Sequence, residues 1–403
     1  VATAPPAPVD PSAALAALAS MASGSVKPPS VYTGGKLNAH CVERLNHGDL
    51  LVNALAVLDG VELLSANDNN LRLWPLDADK SVKSVSVDGV NNIAGFPGGF
   101  FVTTSVKSNI AKKWNAHDMN KPILEFRGHT GGIQCVVAVS DKLVATGAED
   151  KTIRIWDTNT GAQTMVLPAD GKEGHTNAVM CLASIDKDHL ASGSSDNSVR
   201  IWNLTTKEAK QVLPHPGIVK ALALVKDGSL AVGCNNDIHI WHLDPSSKQY
   251  IEKAVLKGND RNIKSIITLQ NGLLVSMSMG GKIQVWNLAN QESVCIIDIE
   301  VVSGYTALGS CISALPDGKF ASGYAGDDMV YIWELTTPGT AEDTAAKEQA
   351  TRSSSAMGKL KRMVGRRAGG ALKIKEDGSV SRKTKKNRKS SNKNKSMKIK
   401  FFY

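Results

Sequence analysis

Short runs in which apolar, mostly β-branched side chains alternate with polar ones recur along this chain, and each ends in Trp. They read LRLW at 71–74, KKW at 112–114, IRIW at 153–156, VRIW at 199–202, IHIW at 238–241, IQVW at 283–286 and YIW at 331–333. A period of two puts successive side chains on opposite faces of an extended chain, so each run predicts a half-buried strand ending at its Trp. The seven tryptophans are spaced by 40, 42, 46, 39, 45 and 47 residues. Upstream of each lies a turn signal: Asp59-Gly60, Gly98-Gly99, Asp141-Lys142, Lys187-Asp188, Asp227-Gly228, Asn271-Gly272 and Asp317-Gly318. Short apolar runs flank these turns, for instance Ile133 to Val139 and Leu143 to Thr146. Each repeat therefore predicts an antiparallel meander of about four strands. Repetition at this period predicts an all-β, seven-bladed β-propeller.

The best-formed repeats add a polar signature. The third runs Gly128-His129, Thr146, Asp150 and Trp156-Asp157, and the fourth Gly174-His175, Ser192, Asp196 and Trp202-Asn203. In both, His stands 27 residues before Trp, the hydroxyl ten before and Asp six before. On these residues the chain resembles the WD40-repeat family over roughly 36–336. The resemblance implies that His129, Thr146, Asp150 and Trp156, and likewise His175, Ser192, Asp196 and Trp202, form buried structural tetrads. The first repeat keeps His47 and Asp68 but has Leu64 at the hydroxyl offset; the fifth is one residue short, with His215 and Asn235. The sixth has Asn259 for His and Gly280 for Asp, the seventh has Tyr305 with Ser322 and Asp327, and the second keeps little beyond Trp114.

No outer strand follows Trp333, whereas Asn38 to Leu45 precede His47 without a blade of their own. Pairing this first segment with the last blade would close the ring and leave no broken seam. The organisation expected is an Ala/Pro/Ser-rich arm at 1–35, the propeller at 36–337 and a basic extension at 338–403. The chain begins with Val1, which fits removal of an initiator Met or of a targeting peptide; the apolar stretch Ala13 to Ala22 lacks the basic flank of a secretory signal.

Charge changes the picture. The net +9 conceals a division: residues 351–403 carry 18 Lys or Arg against Glu376 and Asp377, a net of +16, which leaves −7 on the remainder. Clustered cations gain most by displacing counterions from a polyanion. The tail starts with a helical pattern over Ala345 to Val364, Met357, Leu360, Met363 and Val364 sharing a face. It continues through Arg366 and Arg367 to Arg382, Lys383, Lys385, Lys386, Arg388, Lys389, Lys393, Lys395, Lys398 and Lys400, and closes with Phe401-Phe402-Tyr403. Such a segment cannot bury enough apolar surface to fold alone. It is expected to bind RNA, rRNA foremost, with the terminal aromatics stacking on bases or docking in a partner. A nuclear-import signal and an anchor on acidic membrane are the alternatives for the same residues.

Candidate chemistry points away from catalysis. Ser192, His175 and Asp196 have the residue types of a hydrolase triad. The same set recurs at Thr146, His129 and Asp150, and no nucleophile elbow accompanies either. The six cysteines, Cys41, Cys135, Cys181, Cys234, Cys295 and Cys311, include no C-x-x-C pair and fit a reducing, intracellular compartment. Cys135, Cys181 and Cys311 share one repeat position and are expected in the core. His239 and His242, three apart on a strand, face opposite ways. Asn203-Leu204-Thr205 matches the glycosylation pattern but directly follows a strand. No apolar run reaches the 18 or so residues of a membrane span. These readings imply a non-enzymatic scaffold with no cofactor, metal or small-molecule substrate, whose faces hold proteins of a multi-subunit complex. The setting expected is a cytoplasmic, nucleolar or organellar ribosome, and the alternative is an adaptor in signalling, trafficking or ubiquitin-linked complexes.

Overall fold

The computed structural model describes residues 36–48, 51–76, 81–169, 172–298, 308–325, 328–347, 349, 372–374 and 380–382. The chain divides into two compact units, Val1–Thr351 and Arg352–Tyr403. The first is a seven-bladed β-propeller, each blade a four-stranded antiparallel sheet. The inner strands are Ala54–Leu58, Asn92–Phe96, Ile133–Ser140, Val179–Ser184, Val219–Leu224, Ile263–Thr268 and Leu308–Ala314, and each neighbours the next around the ring. In the second unit, Leu372–Ile374 pairs antiparallel with Val380–Arg382.

The turns follow their chemistry. Asp59 and Gly60 both have positive φ, 49° and 71°, the backbone a tight hairpin between right-twisted strands demands. The predicted closure is present: Asn38–Asn46 pairs antiparallel with Met329–Thr336 as the outer strand of blade 7, with Cys41 opposite Trp333. Beyond that strand, residues 341–347 form the one α-helix among the described residues, and they bring Asp343 and Ala346 into buried positions. The compact unit thus extends past residue 337. The expected helix over Ala345 to Val364 starts earlier than its apolar pattern suggested, and residues 350–371 lie outside the described residues. The arm at 1–35 lies outside them as well.

The core sits between blades. Cys135, Ala145 and Ile153 of blade 3 pack with Val179, Leu190 and Trp202 of blade 4, and a similar cluster joins blades 4 and 5. Each such aliphatic side chain contributes about 1.5–3 kcal/mol by leaving water, so interblade packing carries much of the stability. Small residues set the spacing: a Cβ on Gly193 would stand 2.4 Å from Val219 Cγ1 of the next blade and 2.6 Å from Cys181 Sγ.

Candidate functional site

The structure brings the residues of both tetrads together. In blade 4, His175 Nδ1 donates to Asp196 Oδ2 at 2.8 Å, while Ser192 Oγ lies 2.7 Å from His175 Nε2 and accepts from Trp202 Nε1 at 2.7 Å. Blade 3 repeats this with His129, Asp150, Thr146 and Trp156, each contact at 2.8 Å. Burial would raise the carboxyl of Asp150, but hydrogen bonds from His129, Thr152 and Thr130 outweigh it and hold the group well below the usual carboxylate range. Ser192 and Thr146 are fully enclosed, at 0% exposure, so no substrate reaches either hydroxyl. The networks fasten loop to strand, and the hydrolase reading of the same residues fails on access.

Two repeats, the first and second, differ from their sequence reading. In blade 1 the hydroxyl is Ser65, which accepts from Trp74 Nε1 at 2.7 Å, and Leu64 only packs in the core. Asp68 meets Lys107 Nζ at 2.6 Å and Asn53 Nδ2 at 3.1 Å. Blade 2 retains the bond as well, from Trp114 Nε1 to Thr103 Oγ1 at 2.9 Å. In blade 6, Asn259 stands in for His and meets Ser276 Oγ at 3.2 Å. Blade 7 keeps Trp333 Nε1 on Ser322 Oγ at 2.8 Å, while Tyr305 and Asp327 lie outside the described residues.

The feature most able to meet a ligand is the central channel, a cavity of about 380 Å³ lined by all seven blades. The inner strands of blades 3 to 7 each carry a β-bulge near their start, and the bulged residues are Gln134, Met180, Lys220, Lys264 and Ser310. A bulged residue leaves the ladder and is re-aimed, here toward the channel. Asn53 and Asn91 complete the collar in blades 1 and 2. Asn91 is committed to Gln134 O at 2.8 Å, and Lys107 at the channel wall is neutralised by Asp68. Lys220 and Lys264 have no ion pair among the described residues; Lys220 Nζ has only Met279 Sδ at 3.8 Å. The wall around Lys264, and then the like charge of Lys220, push its ammonium below the usual lysine range. With Asp68 spent on Lys107, Lys220 and Lys264 remain two adjacent cations that no carboxylate pairs among the described residues, a setting that attracts an anion.

A second cluster lies in blade 5. His215, Cys234 and His239 bring their ligating atoms within 4.8 Å of one another. His239 and His242 do point to opposite partners, Glu252 and Ser229. The strand offset hides the meeting of His239 with His215 on a neighbouring loop, which the sequence reading missed.

All six cysteines are buried and unpaired. Cys135, Cys181 and Cys311 point at the backbone carbonyls of Val179, Val219 and Val52 in the neighbouring blade, as core residues at a shared position should. Asn203 spends its carbonyl on the backbone N–H groups of Thr205 and Thr206 at 2.9 Å. No helix among the described residues is long and apolar enough to cross a membrane. Of the basic tail residues, Arg382 belongs to the short hairpin; Arg366, Arg367, Lys383, Lys385, Lys386, Arg388, Lys389, Lys393, Lys395, Lys398 and Lys400 lie outside the described residues.

Comparison with known proteins agrees with this architecture. The family described as WD domain, G-beta repeat matches residues 120–157 and 168–203. A 42-residue stretch is 50% identical to a probable E3 ubiquitin ligase complex SCF subunit sconB of Aspergillus clavatus, covering 10% of this chain and 6% of that protein. A 129-residue stretch is 28% identical to the small ribosomal subunit protein RACK1 of Schizosaccharomyces pombe, covering 30% of this chain and 39% of that protein. The chain thus matches well under two thirds of either relative. The WD40 β-propeller domain of Doa1 superimposes with a TM-score of 0.62 at 18% identity, over 75% of this chain and 98% of that one. Two of its repeats thus match the WD domain, G-beta repeat family in sequence, and the ring shares the fold of a WD40 β-propeller.

Proposed function

We propose that this chain is a non-enzymatic scaffold of a ribosome-associated ribonucleoprotein, in which the propeller holds protein partners and the basic extension binds rRNA. The observation that carries this reading is the segregation of charge, +16 in residues 351–403 against −7 in the remainder. A chain so divided keeps its folded body from competing for phosphates and confines that task to the tail. The likeness to a small ribosomal subunit protein supports the same assembly. On the propeller, the Lys220–Lys264 pair suits an acidic segment of a protein partner presented to the channel. Exposed apolar side chains on the outer strands, Val212, Ile251, Val255 and Ile296, suit contacts at the rim.

The test compares the full chain with a version ending at Thr351, which retains Asp343. The full chain should migrate with ribosomal particles on a sucrose gradient and crosslink RNA, and the shorter one should do neither. For about six phosphate contacts to single-stranded RNA, the log–log salt slope should be near −4. If both versions migrate free and crosslink equally little RNA, the ribonucleoprotein reading fails.

The likeness to an SCF subunit favours a second reading, a soluble adaptor in a signalling, trafficking or ubiquitin-linked complex. There the tail serves as a nuclear-import signal or an acidic-membrane anchor. This reading expects no RNA crosslink, with loss of nuclear uptake or of acidic-liposome binding in the shortened chain.

A further inference from the structure

Blade 5 lacks the polar network of its neighbours, and what replaces it has the composition of a metal site. In blade 4, Ser192 sits opposite Arg200 across the strand pair; in blade 5 the corresponding register brings Val232 opposite His239. Cys234 stands opposite Val219 where blade 4 has Ser194 opposite Val179. Three substitutions at register-equivalent places therefore remove the hydroxyl and add a thiol and an imidazole.

The loss of the hydroxyl leaves buried polar atoms without partners. Neither ring nitrogen of His215 has a hydrogen bond, nor does His239 Nε2, nor Trp241 Nε1. His215 is 9% exposed and Cys234 1%. Orphaned buried nitrogens are costly, and a native fold that keeps three imidazole nitrogens in this state calls for a ligand. The rings of His215 and His239 meet edge to face with centroids 5.0 Å apart. His239 Nδ1 donates to Glu252 at 2.5 Å, which fixes the tautomer with a bare Nε2, the arrangement that orients metal-binding histidines. Cys234 Sγ, now 3.3 Å from Gly217 O, completes the set.

We propose that His215, Cys234 and His239 bind one zinc ion in blade 5, with Glu252 positioning His239 and water as the fourth ligand. Zn–N and Zn–S bonds of about 2.0–2.3 Å require the ligand atoms to close by roughly 1 Å from their present separation. On binding, the Cys234 S–H proton leaves to solvent as the Zn–S bond forms, with no change of oxidation state. The ion does for blade 5 what the hydroxyl tetrad does for blades 3 and 4: it ties the loop carrying His215 to the second and third strands of its own blade.

The test uses the full chain, stripped with a chelator and titrated with Co²⁺. One equivalent should give a near-ultraviolet thiolate-to-cobalt band and visible bands of tetrahedral intensity, both abolished by Zn²⁺. Cys234→Ser should remove the thiolate band and His215→Gln should weaken binding, while Cys295→Ser leaves both intact. Glu252→Gln should weaken binding about 10- to 100-fold without changing stoichiometry. No thiolate band at millimolar Co²⁺, or a band that survives Cys234→Ser, overturns the proposal. Should the variants fail to fold, the wild-type chain still decides: Zn²⁺ should protect Cys234 selectively among the six cysteines from alkylation, as mapped by mass spectrometry, and unchanged labelling of Cys234 overturns it.

Discussion

His40 and Asp343, 303 residues apart in sequence, meet at 2.8 Å in the buried seam of the ring. The same carboxylate accepts from Asn38 Nδ2 and Thr336 Oγ1, each at 2.9 Å, and from Lys347 Nζ at 2.6 Å. The hydrogen bonds from Asn38 and then Lys347 hold its carboxyl far below the usual range despite its burial. The closing strand, the last strand of blade 7 and the following helix are thereby fastened at one point. A chain ending at Thr351 should melt at the temperature of the full protein. One ending at Thr337, or lacking 36–46, should melt markedly lower or fail to fold; equal melting temperatures for all would remove the seam from any account of stability.

The tetrads should behave as structural units. Ser192→Ala strips Trp202 Nε1 and His175 of their shared partner, an orphaning that costs about 1–3 kcal/mol and is readable as a lower urea midpoint. Val232→Thr in blade 5 should act in the opposite sense in metal-free protein, because it offers Trp241 Nε1 an acceptor at nearly constant volume. Its gain is expected to be about 1 kcal/mol.

Acid sensitivity should have a component from blade 5. The folded His215 titrates at about 4 against an ordinary 6.5, so the unfolded chain binds the extra proton between these values. Stability conferred by the neutral ring is complete above about pH 6.5 and falls as the pH drops toward 4, by up to about 3 kcal/mol. Urea midpoints measured with chelator present should fall over this window, and His215→Gln should flatten the slope. A slope identical in the variant would mean the acid sensitivity lies elsewhere.

Interblade spacing should tolerate no growth at Gly193. Gly193→Ala forces a methyl against Val219 and Cys181, with an expected loss of about 1–3 kcal/mol. Adding Val219→Ala should recover part of that loss, a coupling that a double-mutant cycle measures directly.

How much of this could be read from the residues depends on what each signal measures. Tryptophan spacing gave the number of blades because every blade ends its third strand in the same way. The hydroxyl partners were harder, because counting back from Trp assumes a constant turn length. Ser65 lies nine residues before its Trp, Thr146 ten and Thr103 eleven. The cross-strand register is the same in all three, with Ser65 opposite Arg72, Thr146 opposite Arg154 and Thr103 opposite Lys112. The hairpin gains or loses a residue, and the pairing absorbs it. Asp343 escaped notice because nothing in a helix-leaning stretch indicates that one carboxylate will fold back onto residue 40. His215 and His239 escaped because strand periodicity describes one strand, whereas their contact joins a loop to a strand.

The bulges at Gln134, Met180, Lys220, Lys264 and Ser310 have a wider consequence. A residue outside the ladder can be exchanged without disturbing strand register, so the side chains around the axis vary independently of the frame that carries them. The channel is in that sense a dial with separately set positions. Rewriting Lys220 and Lys264 should alter what this protein recognises and leave its melting curve where it was.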